Sequence, residues 1–228
     1  MKKHKTWKIL VICGTMLILS ALFLCVWNLR ESEQAYEISQ DVLMELKQSI
    51  PEAKPAEQKQ DTYVPPAVNP ADDLFAPYEQ QKEEDEPKGP QPICVDGAYY
   101  CGFITLPSLN LELPVMQEWS YPNLKKSPCR YDGEAVSKNL ILAAHNYTRH
   151  FGKIRRLNVD DEIYFTDTEG VQYRFRVINT QEIGGYDLEK LKAGAGEDWD
   201  ITLFTCTLGG QSRVVVRGVL QENGDESA

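Results

Sequence analysis

Hydrophobic and polar residues are arranged differently in three successive parts of the chain. Residues 9–27 are an apolar run broken only by Gly14, Thr15 and Ser20, and residues 31–92 are mostly polar. From Ile93 onward, short apolar runs alternate with turn residues. The pattern predicts an apolar helix, an intervening region and a β-rich domain.

The first apolar run is long enough for a membrane anchor, because a helix needs about 20 apolar residues to cross a bilayer. A cleaved signal peptide is the alternative, but its apolar region is shorter, roughly 7 to 15 residues. Four lysines precede the run, at positions 2, 3, 5 and 8. We therefore expect a cytoplasmic tail over residues 1–8, an anchor over 9–29, and the rest of the chain outside the cell.

Residues 30–92 are predicted to contain a juxtamembrane helix followed by a linker. Nine of the 13 prolines lie in 51–92, where aliphatic residues are few, so this stretch is interpreted as an extended spacer. The alternative is a partly ordered arm that wraps the domain around residues 63–64 or 74–75. The helix is indicated by apolar residues at roughly helical spacing: Ala35, Ile38, Val42, Leu43, Leu46 and Ile50.

The domain from 93 to 222 is predicted to be all-β. Tyr173, Phe175 and Val177 alternate with Arg174 and Arg176, as in a half-exposed strand. A closed barrel is expected, because closure removes exposed strand edges. Short helical turns are expected only at 121–126 and 187–192, and residues 223–228 are a polar tail. The predicted strands are 103–106, 111–116, 139–144, 161–165, 171–178, 201–206 and 213–220.

The acidic charge is concentrated in one part of the chain. The net charge of the chain is −10. Residues 31–92 also carry −10, because the charges of residues 1–30 (+5) and residues 93–228 (−5) cancel. No basic face is evident in the domain, so a nucleic-acid partner is not expected.

Cys206 and Arg213 flank a Gly209-Gly210 pair that lies between two predicted strands. Such a pair favours a two-residue hairpin turn. Counting back from that turn places Cys206 directly opposite Arg213 on one face. A neighbouring guanidinium favours a thiolate over a thiol, and it can also stabilise an oxyanion. The alternative is a buried structural cysteine beside an arginine on an edge strand.

His145 is the candidate acid or base. It follows the apolar run 140–144 and leads into the polar loop that starts at Asn146, a place where a histidine can border a cleft. A histidine with a purely structural role is the alternative. His150 is the weaker candidate, because it lies within a probable loop.

The order of these residues resembles the sortase family. The shared features are the segment Leu142-Ala-Ala-His145-Asn146, the strand ending Thr-Leu-Phe-Thr-Cys206, and an arginine seven residues later. The similarity extends over roughly residues 102–220, and the anchor and spacer also fit.

The resemblance implies an eight-stranded β-barrel and a cysteine transpeptidase. Cys206 would form a thioacyl enzyme, His145 would exchange protons with the amines, and Arg213 would hold the substrate or the oxyanion. Thr205 and Asn146 would line the substrate site. The expected substrates are secreted proteins with a C-terminal sorting signal, and the acceptor is the amine of a peptidoglycan precursor or of another surface protein.

The subclass is suggested by what the sequence lacks. No Asp-Pro-aromatic tripeptide is present, and the chain ends in polar residues where pilus-building sortases often have a second membrane helix. Wall anchoring is therefore favoured over pilin polymerisation. The short spacing after His145 favours a compact class A or D member, with a class B-like member left open.

No metal or other cofactor is expected. The sequence has no Cys-x-x-Cys and no paired histidine spacing that would suit zinc. Some sortases use calcium, but a solvated turn is the preferred interpretation of the acidic cluster here. Cys94 and Cys101 could pair through a turn at Asp96-Gly97, and free thiols are equally compatible. The acidic cluster comprises Asp160, Asp161, Glu162, Asp167 and Glu169.

Two other functions remain open on the sequence. A cell-wall cysteine peptidase would use water as the acceptor, although such enzymes usually have the cysteine before the histidine. A non-catalytic, membrane-tethered β-domain that binds wall or surface proteins would have an unreactive, buried Cys206.

Overall fold

The computed structural model describes residues 2–56, 89–192 and 199–221. Most of the predicted spacer, including both segments of the alternative arm, lies outside the described residues, as does the predicted tail. The helices are α1 Lys2–Ser49 and α2 Tyr121–Leu124, with 3₁₀ turns at Pro107–Leu109, Phe151–Arg156 and Leu188–Leu191. The strands are β1 Lys54–Pro55, β2 Ile93–Val95, β3 Ala98–Leu106, β4 Leu111–Met116, β5 Cys129–Asp132, β6 Leu140–Ala143, β7 Glu162–Asp167, β8 Val171–Gly184, β9 Ile201–Cys206 and β10 Ser212–Leu220.

Eight of the strands form a closed ring. The order is β3, β4, β5, β6, β9, β10, β8 and β7, and β7 pairs with β3 to close the barrel. β1 and β2 are additions at the edges, on β8 and β3 respectively. The structure confirms the predicted closed, eight-stranded, all-β barrel.

Buried and exposed residues alternate along the first half of β8, with the buried ones facing the interior of the barrel. On β8, Tyr173, Phe175 and Val177 are buried and Arg174 and Arg176 are exposed, as predicted. Because side chains point alternately to the two faces of a strand, each long apolar strand supplies one row to the interior. The other members of this core include Leu142, Phe151, Ile163, Leu203 and Val216.

Gly102 permits the close approach of β7 to β3. Its φ is 145°, and a Cβ added there would lie 2.0 Å from the carbonyl oxygen of Thr166. The pairing of β3 with β4 also shifts register between Tyr100 and Gly102. A side chain at this position would push apart the two strands that close the barrel.

α1 is continuous from the apolar run into the predicted juxtamembrane helix, and its second half packs on the barrel. The segment Leu10–Ser49 contains a stretch long and apolar enough to cross a membrane. Ile38 was expected on the apolar face of α1, but it is 56% exposed. The next residue, Ser39, is buried. The residues that α1 contributes to the interface include Val42, Leu43, Leu46 and Ile50, which pack against Val95, Tyr100, Phe103 and Met116.

All seven predicted strands are present, and both predicted helical turns are confirmed at Tyr121–Leu124 and Leu188–Leu191. β8 extends six residues beyond the predicted end at residue 178. β5 was not predicted, because its sequence Cys-Arg-Tyr-Asp has only four residues and no clear apolar alternation.

Candidate active site

Cys206 and Arg213 are directly opposed in the antiparallel pair of β9 and β10, as predicted. The turn between them is longer than predicted. Thr207 N–H donates to the Ser212 carbonyl at 3.0 Å, and Gly210 N–H donates to the Thr207 carbonyl at 2.8 Å. The connection is thus a four-residue loop over residues 208–211. Its extra residues do not change the register, because Thr207 and Ser212 still face each other.

The cysteine lies on the outer surface of the barrel. Ile201 and Leu203 belong to the interior core, whereas Phe204 belongs to a separate cluster on the outer face. Cys206 shares the face of Phe204, two residues further along β9, and it is exposed. This exposure is the opposite of what an inert, buried thiol requires.

His145 lies beyond the end of β6, which runs parallel to β9. Ala143 is in register with Phe204, and Ala144 N–H donates to the Phe204 carbonyl at 3.2 Å. Continuing this register by two residues places the backbone of His145 beside Cys206. The three predicted catalytic residues therefore lie on or just beyond three adjacent strands, β6, β9 and β10.

Thr205 fixes the relative position of these strands. Its side chain is buried, and its hydroxyl donates to the Ala144 carbonyl at 2.9 Å. The hydroxyl is thus used within the protein, and the prediction that Thr205 helps to line the substrate site stays a prediction. Asn146 is half-buried, and its proposed contact with a substrate stays a prediction.

The imidazole of His145 is held from two sides. Its Nδ1 accepts from the Asn146 backbone N–H at 3.1 Å, and its ring stacks on Tyr147 with centroids 4.4 Å apart and planes 12° apart. With Nδ1 accepting, the neutral ring carries its proton on Nε2. Burial lowers the pKa of His145, the charge of Lys125 lowers it further, and the charge of Glu31 opposes both.

Arg213 is half-buried and anchored to the hairpin loop. Its Nη1 donates to the carbonyls of Gly210 at 3.1 Å and Ser212 at 3.2 Å. Both bonds use one nitrogen, and a guanidinium has further N–H donors on Nη2 and Nε. Arg213 can therefore stay anchored while it binds a carbonyl oxygen or an oxyanion.

His150 has a structural position. It is fully buried, and neither ring nitrogen has a hydrogen-bond partner among the described residues. Burial lowers the pKa of His150 to about 4, so the ring is neutral near pH 7. The sequence-based ranking of His145 above His150 agrees with this placement.

A buried apolar cluster lies next to the cysteine on the outer face of the barrel. Its members are Ile141, Ala143, Ile183, Leu191, Phe204 and Val215. The half-buried Tyr131 packs on this cluster through an edge contact with Phe204, with ring centroids 5.2 Å apart, and the exposed Trp119 lies 5.5 Å from Tyr131. A depression of about 940 Å³ borders Trp119 and Tyr131, and its lining includes none of the three predicted catalytic residues.

The acidic cluster does not form a metal site in the part of the chain that the structure describes. Its carboxylates contact protein groups: Asp160 faces Arg176, Glu162 binds Arg174, and Asp161 accepts from Ser108. Asp167 is buried and accepts from two backbone N–H groups. Asp167 therefore departs from the predicted solvated turn, because its carboxylate is buried and held by backbone groups.

The predicted turn at Asp96-Gly97 is present, but it does not pair the two cysteines beside it. Cys94 faces Tyr99 and is exposed. Cys101 is buried, and its thiol points to the Val115 carbonyl. The disulfide alternative is therefore wrong, and the thiols are free.

Tyr147, Lys125 and Glu31 are site residues that the sequence did not reveal. Tyr147 follows His145 in the same loop, and its hydroxyl donates to Glu31 Oε1 at 3.0 Å. Lys125 Nζ donates to the same oxygen at 3.1 Å. Glu31 is 116 residues from Tyr147 and 94 residues from Lys125 in the chain. No local sequence pattern indicates contacts over such separations.

Comparisons with known proteins agree with the geometry. A family model described as the Sortase domain matches residues 104–221. Sortase A of Bacillus anthracis is 32% identical over 117 residues, covering 49% of this chain and 54% of that protein. The chain therefore matches about half the length of that relative.

Two solved structures are similar in fold. Sortase C1 from Streptococcus agalactiae has a TM-score of 0.50 and 26% identity, covering 57% of this chain and 72% of that one. Sortase A from Corynebacterium diphtheriae also has a TM-score of 0.50, with 18% identity, and covers 57% of this chain and 64% of that one. The second likeness supports the fold alone.

Proposed function

This chain belongs to the sortase family, and from that premise we propose that it is a membrane-anchored cysteine transpeptidase. It cleaves a C-terminal sorting signal of secreted proteins and transfers the acyl group to an amine of the cell wall. The observation that carries the proposal is the pairing of an exposed Cys206 with Arg213, beside the end of the strand that leads to His145.

In the first half-reaction, the Cys206 thiolate attacks the scissile carbonyl carbon and a C–S bond forms. Negative charge develops on the carbonyl oxygen, where the Arg213 guanidinium stabilises it. The C–N bond then breaks, and the His145 imidazolium gives its proton to the departing amine. The products are a thioacyl enzyme and the released C-terminal fragment.

In the second half-reaction, an acceptor amine attacks the thioacyl carbon. Neutral His145 takes the proton from the attacking nitrogen, a C–N bond forms and the C–S bond breaks. Cys206 returns as a thiolate and His145 as an imidazolium. One amide has been exchanged for another, so the reaction needs no oxidant or reductant.

Two aromatic side chains near Cys206 support a peptide substrate with apolar side chains. Tyr131 packs on Phe204, which lies two residues before Cys206 on the same face of β9, and Trp119, which is 42% exposed, packs on Tyr131. A peptide bound along these two rings would have its scissile bond near the cysteine. Asn146, which directly follows His145, is the proposed contact for the peptide backbone.

The proposed topology follows from α1. Lysines precede its apolar run, which favours a cytoplasmic amino terminus. The barrel would then lie on the extracellular side, where secreted proteins and amine acceptors of the cell wall are present.

The test is mass spectrometry of the full chain in lipid nanodiscs, incubated with a library of sorting-signal peptides and an amine acceptor. We expect a thioacyl adduct on Cys206 and a ligated product that requires the amine. Cys206→Ala should abolish both, whereas Cys94→Ala, which removes another exposed thiol, should change neither. Hydrolysis without ligation would support the cysteine peptidase, and the absence of any adduct would support the binding domain.

A further inference from the structure

The membrane-proximal half of α1 contacts the loop that carries His145. Glu31 is the first acidic residue after the apolar run. Its Oε1 accepts from the Tyr147 hydroxyl at 3.0 Å and from Lys125 Nζ at 3.1 Å. One carboxylate oxygen therefore joins the anchor helix to two separate loops of the barrel.

Tyr147 transmits this contact to the histidine. Its side chain is buried, its hydroxyl is held by Glu31, and its ring stacks on the imidazole at 4.4 Å. Burial raises the pKa of Tyr147 to about 12, and the bond to Glu31 acts in the same direction, so the hydroxyl remains a donor near pH 7. A tyrosine fixed at both ends restricts rotation of the ring that it faces.

Glu31 opposes a positive charge that acts on His145. Lys125, in the segment after α2, lowers the pKa of His145 by its charge, and the charge of Glu31 raises it. On α1, Glu33 pairs with Arg149 at 3.5 Å, and in the same loop the buried His150 is neutral near pH 7. Of Glu31 and Glu33, Glu31 is the one that binds Tyr147 and acts electrostatically on His145.

We propose that Glu31 is a positioning residue that completes the active site from the anchor helix, by holding Tyr147 against His145 and by favouring the imidazolium that protonates the leaving amine. The inference rests on the proposed transpeptidase function. It implies that the barrel without residues 31–50 is an incomplete enzyme.

The test compares Glu31→Gln with Glu33→Gln in the full chain in nanodiscs. Both substitutions remove one carboxylate from the same turn of α1, but only the first touches Tyr147. We expect Glu31→Gln to shift the pH profile of kcat/KM to lower pH and to reduce kcat/KM near pH 7 by about tenfold, because a smaller fraction of His145 is imidazolium and its ring is held less firmly. Tyr147→Phe, which keeps the stacked ring and loses the hydroxyl, should reduce kcat/KM in the same direction, and Glu33→Gln should behave like the wild type.

A titration of the His145 ring by NMR separates this inference from the proposed function, since it needs no substrate. The chain has three histidines, so a His145→Gln sample identifies the signal. We expect a lower pKa for His145 in Glu31→Gln than in the wild type. An unchanged pKa and pH profile in Glu31→Gln, or equal changes in Glu33→Gln, would overturn the inference, whereas an inactive wild type with the expected pKa shift would overturn only the transpeptidase.

Discussion

The hydroxyl of Thr205 donates to the Ala144 carbonyl at 2.9 Å, and this bond links the residue before Cys206 to the residue before His145. The two catalytic candidates lie 61 residues apart in the chain, and each is one peptide unit from the same hydrogen bond. The backbone positions of Cys206 and His145 are therefore fixed relative to each other by this buried hydrogen bond and by the pairing of β6 with β9.

Thr205→Val should loosen this link while it preserves the shape of the side chain. The substitution leaves the Ala144 carbonyl without its hydroxyl partner, which costs about 1–3 kcal/mol in the free energy of unfolding. We also expect kcat/KM to fall by about tenfold, because small misplacements of catalytic groups are costly. Urea unfolding and steady-state kinetics measure the two effects, and Thr205→Ser, which keeps the hydroxyl, is the matched control. Equal behaviour of both variants would refute a role for the bond.

Arg213→Lys should reduce kcat by about 10²–10³-fold. A lysine carries the charge, but its single ammonium cannot bind the loop carbonyls and an oxyanion in the planar geometry of a guanidinium. Single-turnover formation of the thioacyl adduct measures the effect on the first half-reaction. Arg176→Lys is the control, since Arg176 is an exposed β8 residue that pairs with Asp160. A normal rate in Arg213→Lys would show that only the charge matters.

Stability should decrease in acid partly because of His150. In the unfolded chain this ring binds a proton below about pH 6.5, whereas in the folded protein its pKa is lowered to about 4. The unfolded state thus binds more protons between these values, and folding stability falls as the pH is lowered through that window, by up to about 3 kcal/mol.

His150→Phe should remove this component of the pH dependence. Chemical unfolding at pH 7 and pH 4.5 for the wild type and the variant gives the comparison, and His145 contributes equally to both. The same loss of stability in His150→Phe as in the wild type would show that His150 is accessible to protons in the folded protein.

Leu46→Ala should release the second half of α1 from the barrel. Leu46 is fully buried in the interface, and removing a buried leucine side chain costs roughly 2 kcal/mol or more. Hydrogen exchange of the backbone amides in residues 31–49 should accelerate by about 30-fold for that cost, while exchange in β8 stays unchanged. Met44→Ala on the exposed side of the helix is the control, since Met44 is 59% exposed. Unchanged exchange in Leu46→Ala would mean that other contacts hold the helix.

The sequence predicted the features that depend on local periodicity. The opposition of Cys206 and Arg213 followed from counting along two strands, and an error in the length of the turn left it intact. The alternation around Phe175 likewise identified the buried face of β8. Both depend on residues that are close together in the chain.

The features that the sequence did not predict depend on distant contacts. The contact of Glu31 with Tyr147 requires the whole barrel to be folded, and nothing in the sequence near either residue indicates it. Ile38 illustrates the same limit, because its spacing suits the apolar face of α1, yet Ile38 is 56% exposed and its neighbour Ser39 is buried. The bond of the Thr205 hydroxyl to the Ala144 carbonyl likewise depends on the pairing of β6 with β9, which joins distant parts of the chain.

The continuity of α1 would place the catalytic loop close to the bilayer in the proposed topology. Glu31 follows the apolar run by four residues, and one helical residue advances only about 1.5 Å along the axis. With the apolar run in a bilayer, the loop of His145 would lie near the membrane surface. The proposed enzyme would then meet a donor and an acceptor that are both embedded in the membrane by lateral diffusion, in two dimensions, and the rate would depend on the surface density of both.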